Sequence, residues 1–217
     1  MTSKKLLTLL EQGENQKLEF KQRFSTFEKI AKEMIAFANT NGGIILFGIG
    51  DDSSVYGVES EKGETELIKE TADKYCEPPI KYEIDYVDIY EKDVVVVTIE
   101  ESSIKPHRIK DYKNQLDLNT AEVFIRVNDK SLPASKEMIK IFQANYEDKK
   151  LVNYAVGKIE QMVFNILNDH ETINVTELAN SANISNRRAS RTLIKMVRAN
   201  LLAIHTKDNG ESYFTSL

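Results

Sequence analysis

The chain has 217 residues, 41% hydrophobic and 29% charged, with a formal net charge of −5, the balance of a globular protein with room for one large or two modest domains. A single cysteine, Cys76, excludes an intrachain disulfide framework and a cysteine-rich zinc site. No run approaches the ~20 apolar residues of a membrane helix, and the start MTSKKLLTLLEQGEN turns polar at Glu11, too early for a signal peptide, so a cytoplasmic protein without membrane contact is expected.

The leucines of Leu6–Leu10 predict a first helix ending near Gly13, and the alternation in Lys17-Leu18-Glu19-Phe20-Lys21 predicts a half-buried strand. From Thr26 to Asn39 the residues Phe27, Ile30, Ala31, Met34, Phe37 and Ala38 recur at three and four, which places them on one face of an amphipathic helix. Asn41-Gly42-Gly43 ends it. Ile44–Ile49 reads as a central strand, and Gly50 to Ser54 as a turn returning through Val55–Val58 as its partner. Glu64–Cys76 is a second expected helix, stopped by Pro78-Pro79.

Ile80–Tyr90 and Val94–Ile99 form a predicted hairpin around Glu91-Lys92-Asp93, with Val94 to Val97 buried on both faces. A surface loop follows from Ile104 to Asn119, then a strand at Glu122–Val127 and a helix from Ser135 through Phe142 toward Tyr146. Mixed elements of this kind predict an α+β domain. The charged stretch Glu147-Asp148-Lys149-Lys150 then opens a linker. The expected organisation is a domain at 1–148, a linker or helix continuation at 149–156, and a second domain at 157–217.

Charge divides unevenly between these parts. Residues 1–156 carry 22 basic and 28 acidic side chains, and residues 157–217 carry 7 and 6. Four of the seven arginines fall between Arg187 and Arg198, so the slight excess of acid conceals a local basic cluster. That cluster lies on the third of three predicted helices, Ile159–Asn168, Val175–Ala182 and Asn186–Ala199. A hairpin pairing Leu202–Thr206 with Ser212–Thr215 follows, turned by Asn209-Gly210. Asn174 and Glu177 have the spacing of a capping box, Asn183 suits a left-handed turn position, and Ser185 caps the third helix.

Three helices and a terminal hairpin in about 60 residues resemble a winged helix-turn-helix. Arg188, Arg191, Lys195 and Arg198 share a stripe that Arg187 extends. The expected base contacts are Asn186, Arg187, Arg188 and Ser190 near the helix start, with Arg191 on the same stripe. Lys195 and Arg198 suit phosphates, and Lys207 and Asn209 on the hairpin tip suit the adjacent backbone. A second basic patch is expected from Lys21, Arg23, Arg108, Arg126 and Lys130. The histidines His107, His170 and His205 lack ligand spacing and are expected at surfaces or in loops.

The segments Glu14 to Lys21, Ala36-Phe37-Ala38-Asn39-Thr40-Asn41-Gly42-Gly43 and Leu46-Phe47-Gly48-Ile49 with Asp51-Asp52, followed by Pro106-His107, Phe124-Ile125-Arg126-Val127 and Ala134-Ser135, resemble the Schlafen AlbA_2 family over roughly residues 10–140. Asn128 stands where that family usually has glycine. The resemblance implies a mixed-sheet domain, often joined to a C-terminal helix-turn-helix, in DNA-binding proteins or transcriptional regulators. Some family members are described as ATP-binding, yet this chain has no G-x-x-x-x-G-K-[ST] loop, and no cofactor is expected. RNA-cleaving Schlafen relatives use three carboxylates, which the resemblance maps to Glu14, Glu19 and Asp51 or Asp52. Under that alternative they would hold Mg²⁺ or Mn²⁺ for nuclease chemistry. The preferred reading is a DNA-binding regulator whose partner is double-stranded DNA, with RNA as a second partner and a homo-oligomeric state.

Overall fold

The computed structural model describes residues 1–146 and 154–217; the charged linker expected at 149–156 falls largely outside them. The elements run α1 (Ser3–Gln12), β1 (Leu18–Lys21), α2 (Phe27–Asn39), β2 (Gly43–Phe47), α3 (Glu61–Glu70), β3 (Cys76–Glu77), β4 (Glu83–Ile89), β5 (Lys92–Ile99), β6 (Arg108–Ile109), β7 (Phe124–Val127) and β8 (Lys130–Pro133). They continue with α4 (Lys136–Tyr146), α5 (Lys158–His170), α6 (Val175–Ser181), α7 (Asn186–Arg198), β9 (Leu202–Thr206) and β10 (Ser212–Ser216). The chain divides into two units, Met1–Pro133 and Ala134–Leu217.

In the first unit, Val94, Val95, Val96 and Val97 are all fully buried. A strand can bury every residue only when both faces of its sheet are covered, because successive side chains point to opposite sides. The sheet order is β1-β2-β5-β4, with β1 and β2 parallel and the other pairs antiparallel. Val95, Val97, Ile45 and Phe47 meet Ile30, Met34 and Phe37 of α2 and Ile68 of α3 on one side. Val94, Val96 and Leu46 meet Leu6 and Leu10 of α1 on the other. Cys76 is buried in the α2-side cluster.

Several predicted elements change form. Val55–Val58 contributes only a bridge between Ile49 and Val55, because both edges of β2 are already taken by β1 and β5. The second helix starts at Glu61 and widens into a π-helical turn over Thr71–Tyr75 before Cys76 enters β3. The β4–β5 turn lies at Tyr90 and Glu91, both at positive φ, the signature of a tight two-residue hairpin turn. Arg108 and Ile109 within the expected surface loop pair with β3. The strand at residue 124 acquires a partner, β8, across a turn in which Asn128 takes φ 54°.

The second unit gathers Val163 and Leu167 of α5, Leu178 and Ala179 of α6, Ala189, Leu193 and Met196 of α7, and Leu202 and Phe214 of the hairpin into one core. Asn174 Oδ1 accepts from Glu177 N at 2.9 Å and Glu177 Oε2 accepts from Asn174 N at 2.8 Å, the reciprocal pairing expected of a capping box. Asn183 turns the chain at φ 51°. The expected first domain ran through residue 148, whereas α4 groups with the second unit. Two polar bonds explain that grouping: Ser212 Oγ donates to Ser135 Oγ at 2.7 Å, and Ser190 Oγ donates to Glu137 Oε1 at 2.6 Å.

Gly42 combines φ 66° with a position where a Cβ would lie 2.6 Å from the Ile99 carbonyl oxygen. The Gly42→Ala variant therefore loses at least about 1–3 kcal/mol of stability through crowding and left-handed strain, measurable as a lowered urea midpoint.

Candidate functional site

The surface of α7 follows from its own periodicity. At 100° per residue, Arg187, Arg188, Arg191, Lys195 and Arg198 fall within about 100° of arc, while Ala189, Thr192, Leu193, Ile194 and Met196 occupy the remainder and are buried. Arg187, Arg188, Arg191 and Lys195 are exposed, and none of the four forms an ion pair with any described residue. Asn186 begins the helix in the open, and Ser185 Oγ accepts from Arg188 N at 3.3 Å. Arg198 is half-buried and already engaged within the protein.

Ser190 departs from expectation. It is buried, and its hydroxyl is taken by Glu137, so it belongs to the packing of α4 on α7 and not to the open stripe. At the hairpin tip Lys207 and Asn209 are exposed. Lys207 Nζ lies 5.8 Å from the Tyr213 ring centre, and Asn209 Oδ1 accepts from Glu211 N at 3.0 Å, which fixes the loop.

The expected second basic patch does not form. Arg108 is buried and paired with Glu77 at 2.8 Å. Arg126 is buried more deeply, and its guanidinium donates to Glu19 Oε2 at 2.8 Å, Glu33 Oε2 at 3.1 Å, Ser131 Oγ at 3.2 Å and the Asn15 carbonyl at 2.8 Å. It also stacks 4.6 Å from the Phe37 ring centre. Lys21 neutralises the other oxygen of Glu19, and Ser131 Oγ donates to Glu33.

The three sequence-predicted carboxylates are neighbours, but they do different work. Burial raises the pKa of Glu14, and the charges of Glu19 and Asp51 push in the same direction; its Oε1 accepts from Phe20 N at 2.8 Å. Asp51 is exposed, and Asp52 closes its turn by accepting from Ser54 N at 3.0 Å. Both oxygens of Glu19 are already occupied by cations. No group of three His, Cys, Asp or Glu side chains among the described residues is spaced to hold a metal ion. As arranged, these acids do not fit a divalent cation, whose coordination needs several free oxygen donors.

A polar cluster around His107 was missed by sequence reasoning, which expected a surface or loop residue. His107 is 1% exposed. Asn39, also buried, donates to the His107 and Phe124 carbonyls at 2.8 and 3.0 Å and accepts from His107 N at 2.8 Å. The available signal was that Asn39 and Pro106-His107 both lie in the quoted motifs. Burial, the main cause, holds the His107 pKa below its ordinary value.

The Schlafen, AlbA_2 family model matches residues 14–135. An uncharacterized ATP-binding protein of Ureaplasma parvum serovar 3 is 30% identical over 136 residues, covering 54% of this chain and 38% of that protein. Among solved structures, the N-terminal domain of a protein related to ATP-dependent DNA helicase RecG, from Nitrosomonas europaea, aligns with TM-score 0.42 and 23% identity, over 54% of this chain and 84% of that one. The DIP2311 protein of Corynebacterium diphtheriae aligns with TM-score 0.45 and 12% identity, over 93% of this chain and 34% of that one. The chain thus spans little more than a third of the Ureaplasma and Corynebacterium proteins. No helix among the described residues is long and apolar enough to cross a membrane.

Two outcomes follow for the first unit. Arg126→Met leaves two buried carboxylates without their cation and costs about 3–5 kcal/mol, read by chemical denaturation. His107 contributes stability that is complete above its unfolded pKa of about 6.5 and is lost as pH falls toward the depressed folded value, because the unfolded chain then binds a proton that the buried ring refuses. In His107→Gln that slope disappears from denaturation midpoints measured across pH 5–7.

Proposed function

The chain belongs to the Schlafen AlbA_2 family, and from that premise we propose that it is a DNA-binding protein, a transcriptional regulator whose helix α7 docks in the major groove. In this reading residues 157–217 form a winged helix-turn-helix. α6 and α7 make the helix–turn–helix, and β9–β10 form the wing. The single observation that carries it is the set of four exposed cations, Arg187, Arg188, Arg191 and Lys195, on a helix whose opposite face is sealed in its own core. Nothing on the described surface neutralises them, so their counterions are available for release to a polyanion.

The roles follow from position. Asn186, Arg187, Arg188 and Arg191 stand at the end of the helix that reaches base edges in such modules. Lys195 and Arg198 lie farther along, suited to phosphates, and Lys207 and Asn209 suit the flanking backbone. Ser190 is withdrawn from the contact set because its hydroxyl is spent on Glu137. One module reads few base pairs, so a homodimer with paired half-sites is part of the proposal, the first unit serving assembly.

ATP binding, named for the Ureaplasma protein, is not carried over. The glycines that would have to cradle phosphates face their own chain. A Cβ on Gly43 would strike the Phe37 ring at 2.2 Å, and one on Gly48 would meet Gly57 at 3.0 Å. Their lack of side chains is used for packing.

Duplex affinity measured against salt tests the reading. For the wild type, log affinity falls linearly with log salt. Arg188→Ala/Arg191→Ala binds more weakly at every salt concentration and lowers the slope by about 2 if both contact phosphates. Salt-independent binding, or a variant that binds as well as the wild type, sinks it.

A further inference from the structure

The segment from Ser102 to His107 returns to the α2 side of the first unit and places a hydroxyl, an imidazole and a carbonyl in line. Asn39 pins the His107 backbone through both its N–H and its C=O. His107 Nδ1 lies 2.8 Å from the Pro78 carbonyl oxygen. That oxygen can only accept, so Nδ1 carries the proton. In the neutral ring Nε2 is then the acceptor, and it lies 2.7 Å from Ser102 Oγ, whose hydroxyl donates to it. The Ile104 N–H donates to the same Oγ at 3.1 Å, fixing its rotamer.

Ser102 and His107 both line a cavity of about 280 Å³, with Lys81 and Ser103 on its wall. The Ser103 N–H, next along the chain from Ser102, has no hydrogen-bond partner among the described residues. A backbone N–H directly after a nucleophile is well placed to stabilise the oxyanion that forms there.

We propose that Ser102 and His107 are the nucleophile and general base of a hydrolytic site for small acyl esters, with the Pro78 carbonyl orienting the imidazole. Ser102 Oγ attacks the ester carbonyl carbon as its proton passes to His107 Nε2. The bond to the alcohol oxygen then breaks, and the leaving alkoxide takes that proton. Water attacks the acyl-serine and gives a proton to Nε2. Collapse releases the carboxylic acid and returns the proton to Ser102 Oγ, so ester and water become acid and alcohol.

Each residue has a defined part in this cycle. The Ser103 N–H and the Lys81 ammonium face the developing oxyanion. The Pro78 carbonyl holds the tautomer and meets the imidazolium with the negative end of a fixed dipole, the role a buried carboxylate plays in serine triads. Burial favours the neutral ring, which is the form a base requires. The small cavity limits the acyl group to a short chain.

The test treats the full chain with a fluorophosphonate probe, maps the adduct by peptide mass spectrometry, and follows hydrolysis of 4-nitrophenyl acetate. The adduct is expected on Ser102, with hydrolysis about 10²–10⁴-fold above that of Ser102→Ala. Wild-type chain that takes no label, or takes it at another residue, overturns the proposal. So does equal hydrolysis by a folded Ser102→Ala. The wild-type adduct map decides the question even if that variant does not fold.

Discussion

The first unit depends on one buried cation. Arg126, on β7, reaches Glu19 on β1, Glu33 on α2, Ser131 on β8 and the carbonyl of Asn15, with its plane against Phe37. Taking a guanidinium out of water is expensive, and only several well-placed acceptors offset the loss. Here two carboxylates, a hydroxyl and a carbonyl do so at once. Because those acceptors come from separate elements, the charge can be satisfied only when sheet, helix and hairpin are all in place. The interaction therefore specifies an arrangement more than it adds stability.

That role changes the meaning of the motif residues. Glu19, Asn39, Gly42, Gly43, His107 and Arg126 are the positions a reader of the sequence would nominate for chemistry. Glu19 and Arg126 neutralise each other, Asn39 and His107 brace adjoining segments, and the two glycines admit close neighbours. The architecture of this unit is built from polar and small residues, while its apolar residues supply an ordinary two-sided core. The exposed cations of α7 have no such internal duty, which sets them apart chemically from the motif.

The sequence made some of this legible. The period of α2, the β-branched run of β5, the cap pairing of Asn174 with Glu177 and the turn at Asn183 are local features, and local chemistry predicted them. Long-range pairing was not legible. Nothing near Val55 reveals that β2 has already found β1 and β5, and nothing near Ser190 reveals Glu137, 53 residues away. The carboxylates show the same limit. Glu14, Glu19 and Asp51 were correctly grouped as neighbours, but the cations that occupy Glu19 come from residues whose placement only the fold defines.

Cys76 illustrates what a sealed interior implies for handling the protein. Its thiol lies in the α2-side core, where burial pushes its pKa up to about 12. Thiolate is the reactive species, so the native chain carries almost none of it at neutral pH. A disulfide-exchange reagent in the surrounding buffer meets this sulfur only when the π-helical turn and β3 lift from α2. The rate of its modification thus becomes a clock for opening of that core, built into the sequence as its one cysteine.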